Sequence, residues 1–360
     1  MSTPTLGIND FSVKSCYHGV VKGKREKSGA EGRKLRGRQV TDNLDAAVRG
    51  HDFLGTVLVI SKGERLLAQG YGMADLENGL PNVLHTKFRI GSITKMFTSM
   101  AVMMLAEQGK LRSEDLLSEY LEDIPDHWSE ITLHHLLSNS SGIMHSWALP
   151  GFTKNMSLRA TTAETIAKFV DQPLVAPPGE KYHYSGAGFF VLSQVIAKVS
   201  GQSYEDFLRA HILDPLEMAD TGCDHPDPIL PHRARGYASA EDGLINSPTI
   251  YMPILTGGGN LYSTVEDLAK WDAGLNAGKL ISEASYERTF TPVLNHYAYG
   301  WRVMDENGRR SVMHGGGVSG FNTFLLRFPE DEVCVVALSN VNPSPANPMA
   351  QKLAAVVFGE

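Results

Sequence analysis

Residues 55–72 read GTVLVISKGERLLAQGYG. Two apolar, strand-forming runs meet at Lys62-Gly63, the pattern of a β-hairpin. The same kind of segment returns near the other end of the chain, at 299–304 (YGWRVM), 310–315 (RSVMHG), 322–328 (NTFLLRF) and 333–339 (VCVVALS), with short polar turns between. A closing helix is expected over 348–359, PMAQKLAAVVFG. Strands at both ends with a different pattern between them point to one sheet shared by the two ends.

The middle reads as helical. Residues 92–110, SITKMFTSMAVMMLAEQGK, place apolar side chains at Ile93, Met96, Phe97, Met100, Met103 and Met104, and Gly109 can cap the end. Core packing is the role expected of those methionines. Thr161 and Glu164 have capping-box spacing ahead of TAETIAKFV. Helices are also expected over 187–201 (closed by Gly201), over 203–213 and over 263–278, the last two opening on Ser203 and Ser263, each three residues before an acid. Pro/Gly breaks such as VAPPGEKYHY, 175–184, separate them.

The expected fold is therefore α/β: a mostly antiparallel sheet flanked by helices, with a mainly helical lobe inserted and the site in the cleft between them. Residues 39–90 and 292–360 are assigned to the sheet lobe and 91–291 to the helical lobe. Residues 1–38 include VKGKREKSGAEGRKLRGR and are expected to be a basic, flexible, solvated tail.

The formal net charge of −7 argues against a nucleic-acid binder. Cys16, Cys223 and Cys334 are odd in number and far apart, so neither a disulfide framework nor a thiolate zinc site is indicated. There is no apolar run of membrane-spanning length and no signal-type stretch at the start, so the chain as it stands reads as cytoplasmic. Export after removal of a leader is the alternative. Oligomeric state is not readable.

Several chemistries drop out. GxSxG, HExxH and P-loop patterns are absent. The adjacent His134 and His135 point to different sides of a helix and suit a satisfied or exposed position better than a metal site. HGGGVSG, 314–320, contains a formal GxGxxG, but a strand follows where a dinucleotide site needs a helix. No cofactor and no metal are expected.

What remains is RIGSITKMF, 89–97. Ser92 and Lys95 share one face of a helix start, so the amine can reach the hydroxyl. A serine needs such a base to act as a nucleophile, and burial would lower the lysine pKa into range. Ser-x-x-Lys occurs about once by chance at this length, so partners are needed. Tyr184 stands just before a helix, where its phenol could shuttle a proton as a partial phenolate. His314 ends a strand ahead of Gly315-Gly316-Gly317. The N–H groups of Ser92 and Gly317 are candidate oxyanion donors. Read alone, Tyr184 is equally a core tyrosine and the glycines a tight hairpin.

Together these segments resemble the class C β-lactamase and D,D-peptidase (penicillin-binding-protein-like) family of serine hydrolases, which includes carboxylesterases. The similarity runs from about Leu44 to the end, through FRIGSITKMFTSM, ITLHHLLSNSSGI, PPGEKYHYSGAGFF, GGGNLYSTVEDLAKW, MHGGGVSGF and VVALSN. It implies that Ser92 is acylated, that Lys95 and Tyr184 carry protons, and that His314 stands where many members have the lysine of Lys-Thr-Gly. The family's usual Tyr-x-Asn is here Tyr184-Ser185-Gly186, without the amide that holds an amide side chain of the substrate. This argues against a dedicated β-lactamase and for an esterase or peptidase acting on small ester, amide or peptide substrates. An acyltransferase and a non-catalytic β-lactam or peptidoglycan-fragment binder are the alternatives. Gly186 and Gly316, with Trp147 and Phe152 of MHSWALPGFTKNMSLR, are candidate substrate contacts, loop packing being the other role open to the two aromatics.

Overall fold

The computed structural model describes residues 38–51 and 53–360; the expected tail, up to residue 37, lies outside the described residues. Helix α1 covers 38–49. Strands β1 (Gly55–Ser61) and β2 (Glu64–Tyr71) form the expected hairpin, with Lys62 at φ 52° and Gly63 at φ 75°. Two consecutive left-handed residues are what a two-residue turn between right-twisted strands requires. Short strands β3 (Met73–Asp75) and β4 (Leu80–Pro81) pair, and β5 (Phe88–Arg89) leads toward α2 (Thr94–Glu107). Then come α3 (Leu133–Leu137), α4 (Thr162–Val170), α5 (Gly186–Ser200) and α6 (Tyr204–Leu208). Strand β6 (Gly222–Cys223), the hairpin β7 (Tyr237–Ala240)–β8 (Gly243–Asn246), β9 (Leu261–Ser263), α7 (Val265–Asn276) and α8 (Glu283–Thr289) follow. Strands β10 (Arg302–Glu306), β11 (Arg309–Val318), β12 (Phe321–Phe328) and β13 (Val333–Ser339) and helix α9 (Ala346–Phe358) complete the chain.

The main sheet has the order β10-β11-β12-β13-β1-β2 and is antiparallel throughout. The two ends of the chain meet at β1 and β13, where Val57 faces Ala337 and Leu58 faces Val336. Side chains alternate across a strand, and here both faces are covered. Val57, Val59, Leu326, Val335 and Ala337 pack with Leu44 and Val48 of α1 and Leu353 of α9. Leu58, Leu325, Val336 and Leu338 belong instead to the large core shared with α2, α5 and α7. Two covered faces account for the nearly unbroken apolar runs of these strands.

Helix α2 runs through that core with Met96, Phe97, Met100 and Met103 buried, and Phe97 stacks on Trp271 of α7 at 4.2 Å. Arg327 of β12, fully buried, is neutralised by Asp272 of α7 and donates to Asn276 at 2.6 Å. One expected cap is displaced: α7 opens on Thr264, whose hydroxyl accepts from the Asp267 N–H at 3.1 Å, and not on Ser263. Ser263 is engaged in β9, opposite Phe88. The small sheet β5-β9-β6 had no signal in two- and three-residue strands, yet it delivers the chain to the turn that carries Ser92.

Candidate active site

Ser92 sits in a 3-10 turn, Gly91–Ile93, between β5 and α2. Ile93 is the first residue of the turn to donate inward, to the Ile90 carbonyl at 3.3 Å, so the helix does not claim the Ser92 N–H. The turn is held by three hydrogen bonds, two with Leu261 of β9 and one from Thr323 of β12. Ile90 N–H donates to Leu261 at 2.9 Å, Leu261 N–H donates to the Thr94 hydroxyl at 3.2 Å, and the Thr323 hydroxyl donates to the Ile90 carbonyl at 2.9 Å.

Lys95 Nζ lies 3.0 Å from Ser92 Oγ and donates to the Gly258 carbonyl at 2.7 Å. That carbonyl can only accept, so one N–H of the amine is committed and the amine is aimed at the serine. Lys95 is buried, with the Tyr184 ring 4.9 Å and the Phe189 ring 5.4 Å from Nζ. Desolvation lowers its pKa to about 7, which gives a base poised at neutral pH. Burial does this without a neighbouring cation.

Tyr184 precedes α5, whose N-cap Ser185 accepts from the Gly188 N–H at 3.2 Å and donates to the Met144 carbonyl at 3.1 Å. Asn139 clamps the same segment, taking N–H bonds from His183 at 2.7 Å and Ser185 at 2.9 Å. Burial raises the Tyr184 pKa, and a hydrogen bond with Ser92 offsets part of the rise. The group is a phenol at neutral pH, a proton donor and not the partial phenolate expected from the sequence.

His314 lies in β11, where pairing with β10 stops at Met313. The edge of residues 314–318 is thereby free of β10 and abuts the Ser92 turn. A Cβ on Gly316 would sit 1.9 Å from the Ile90 oxygen, and one on Gly91, at φ 51°, would sit 2.9 Å from the Gly317 nitrogen. Only glycine permits this approach. Over Gly317 nothing lies within 4 Å, so the space there is open. The three glycines are strand residues, and the hairpin turn comes later, at Ser319-Gly320. This corrects the tight-hairpin alternative.

His314 Nδ1 lies 2.6 Å from the Gly315 carbonyl, which can only accept, so the proton is on Nδ1 and Nε2 accepts from the Tyr297 hydroxyl at 3.1 Å. Burial and the charge of Lys95 lower its pKa to about 3. The ring is neutral, so it supplies no fixed cation where the family resemblance places a lysine. Its ring centroid is 6.1 Å from that of Tyr184, with Tyr297 contacting both.

The other expected residues divide. Gly186 is buried, and a Cβ there would meet Ser146 Oγ at 2.9 Å and His145 Cε1 at 3.8 Å. Trp147 is exposed on the turn Ser146–Ala148. Phe152 is buried in the main core beside Phe169, at 5.9 Å, the packing role that the sequence left open for it. His134 contacts the Tyr299 hydroxyl at 2.6 Å, while His135 accepts from the Thr132 N–H at 3.2 Å. Among the described residues no group of three or more His, Cys, Asp or Glu is arranged to hold a metal ion. No helix among them is long and apolar enough to cross a membrane.

Sequence reasoning passed over four groups around Lys95 and Tyr184: the Gly258 carbonyl on Lys95, His145 and Tyr297 against the Tyr184 ring, and Arg302 beyond Tyr297. Only the Gly257–Gly259 run carried a signal, since close backbone approach favours glycine. Arg302 donates to the Tyr182 hydroxyl at 3.2 Å and lies over the Tyr182 and Tyr297 rings at 5.7 and 6.0 Å. Among the described residues, Arg89, Arg209, Arg233, Arg309 and Arg327 are the other partly or fully buried arginines, and each faces a carboxylate. Arg302 faces none.

The profile of the family described as Beta-lactamase matches residues 40–358. A penicillin-binding protein of Bacillus subtilis (strain 168) is 29% identical over 315 residues, covering 81% of this chain and 68% of its own. The octameric penicillin-binding protein homologue from Pyrococcus abyssi superposes with a TM-score of 0.78 at 29% identity, over 89% of this chain and 77% of that one. A penicillin-binding protein from Bacillus halodurans superposes with a TM-score of 0.79 at 26% identity, over 88% and 99%.

Proposed function

Because the chain belongs to the Beta-lactamase family of serine hydrolases, we propose that it cleaves ester or amide carbonyls through an acyl-enzyme on Ser92. The observation that carries this is the buried amine of Lys95, 3.0 Å from Ser92 Oγ and near neutrality in pKa. Neutral Lys95 accepts the serine proton as Oγ attacks the carbonyl carbon. The oxyanion that forms takes hydrogen bonds from the Ser92 and Gly317 N–H groups, over the open space at Gly317. Tyr184, a phenol, gives its proton to the leaving group as the carbon–heteroatom bond breaks, and Lys95 returns the proton to Tyr184. In deacylation water takes the place of the serine, its proton passing to Lys95 and then back to Ser92 Oγ as the acyl bond breaks.

Esters of small or medium acyl groups are the first substrate class, peptide-type amides the second. A dedicated β-lactamase is disfavoured by Gly186 and by a neutral His314. One observation favours the peptide type: Arg302, half-buried and without a carboxylate among the described residues, is suited to a substrate carboxylate on the leaving-group side. Transfer to an alcohol or amine uses the same acyl-enzyme and is told apart by product analysis with a competing acceptor. A receptor with no turnover would keep a serine-directed acyl adduct permanently in an intact-mass assay. Ser92→Ala should abolish ester turnover while leaving the thermal midpoint near that of the wild type. Wild-type turnover by that variant would sink the proposal.

A further inference from the structure

His145 stands at the same site, and nothing in the mechanism uses it. Its Nδ1 accepts the Trp147 N–H at 3.4 Å and contacts Ser146 Oγ at 3.3 Å, which caps the short turn Ser146–Ala148. An imidazole accepting at Nδ1 carries its proton on Nε2 when neutral. Among the described residues that Nε2 has no hydrogen-bond partner, and it is not a buried unpaired atom either, so it reaches accessible space. The ring packs edge-on against Tyr184 at 5.3 Å and borders the spot that a side chain at Gly186 would claim. It is also close enough to feel the charge of Lys95.

The two flanks of Tyr184 differ. His314 and Tyr297 contact Tyr184 and each other, and Arg302 lies over Tyr297, so that flank is cationic. His145 contacts Tyr184 alone among these rings and presents a neutral donor. We propose that His145 is a substrate-positioning residue whose Nε2–H holds a hydrogen-bond acceptor on the acyl group, making acylamino, hydroxy or alkoxy acyl groups the preferred class over plain alkyl ones. This rests on the acyl-enzyme proposal and assigns the cationic flank to the leaving group. A site built around a donor discriminates against analogues that lack the acceptor, because its polar group is then left unpaired.

The test compares the p-nitrophenyl esters of N-acetylglycine and pentanoic acid, similar in size and different in the acceptor. Wild type should favour the N-acetylglycine ester by tenfold or more in kcat/KM. His145→Asn keeps an acceptor in place of Nδ1 for the Trp147 N–H but falls short of the Nε2 position. It should bring the ratio close to one, chiefly through KM, with an unchanged thermal midpoint. His145→Gln carries an amide N–H out to the Nε2 position and should restore several-fold preference. A ratio unchanged in His145→Asn, or an equal fall with both esters that Gln does not rescue, would overturn the proposal and leave a structural cap. A wild type no faster than Ser92→Ala on both esters would instead overturn the acyl-enzyme proposal beneath it.

Discussion

Replacing Lys95 by methionine should make the protein more stable while destroying its activity, and the gain should depend on pH in a set direction. Lys95 is buried, and desolvation takes its pKa from 10.5 to about 7. Below that value the folded and unfolded chains both carry the proton. The folded state then bears the whole difference, about 5 kcal/mol at about 1.36 kcal/mol per pKa unit. As pH rises from 7 toward 10.5 the unfolded chain binds the extra proton, so wild-type stability climbs, and by pH 9 the residual cost is about 2 kcal/mol. Methionine keeps most of the stem and removes the charge. It also strands the Gly258 carbonyl, which costs about 1–3 kcal/mol at any pH. Lys95→Met should thus exceed wild type by about 2–4 kcal/mol at pH 6 and lie within about 1 kcal/mol of it at pH 9. Urea unfolding followed by tryptophan fluorescence at both pH values measures this for each protein. The stranded carbonyl cancels in the comparison between pH values, leaving a change of about 3 kcal/mol in the mutational effect. An effect of the same size at both would refute a strongly shifted Lys95.

The pH dependence of catalysis follows from the same group. For esters, kcat/KM should rise through a single ionisation near pH 7 as Lys95 loses its proton; His314, at about 3, contributes nothing in that range, and a flat profile from pH 5 to 9 would contradict the assignment of the base. Gly316→Ala and Gly317→Ala form a matched pair. A methyl on Gly316 drives into the Ile90 carbonyl and should lower stability by about 1–3 kcal/mol or more and remove activity, whereas one on Gly317 meets nothing within 4 Å and should leave the thermal midpoint alone while cutting kcat/KM. Equal thermal midpoints for the two variants would show that β11 does not press on the Ser92 turn.

Local rules read well where the chain's own chemistry decides. The Lys62-Gly63 turn, the Thr161–Glu164 capping box and the Gly201 terminus of α5 are short-range features, and the sheet built from both ends follows from strand patterns at the two termini with a helical block between them. The Thr264 cap was misplaced by one residue because β9 holds Ser263, a tertiary pairing that no local pattern reports. At the site, Ser92 and Lys95 stood out because helical spacing alone puts them together. His145 and Tyr297 reach Tyr184 from two segments far apart in the chain, Arg302 lies over Tyr297, and each is an unremarkable residue in its own neighbourhood. The glycines of β11 were legible as permissive, but the thing they permit, contact with Ile90, is most of the chain away. Phe152 stays open between cleft and core in the sequence because an aromatic in a loop near the cleft and one turned into the core look alike in one dimension.

The pairing of β1 with β13 also imposes an order of events on synthesis. Ser92, Lys95 and Tyr184 leave the ribosome long before β11, and until β11 arrives the Ser92 turn has no Gly317 beside it and no Thr323 to fix the Ile90 carbonyl. The contacts that complete the site are among the most distant in the chain, and such contacts form late because closing the intervening loop must come first. A chain cut short before residue 309 keeps Ser92 and Lys95 but lacks the Gly317 N–H, one of the two donors proposed for the developing negative charge. If the proposed acyl-enzyme chemistry holds, activity is tied to completion of the polypeptide, and a fragment ending ahead of β11 should show no ester turnover.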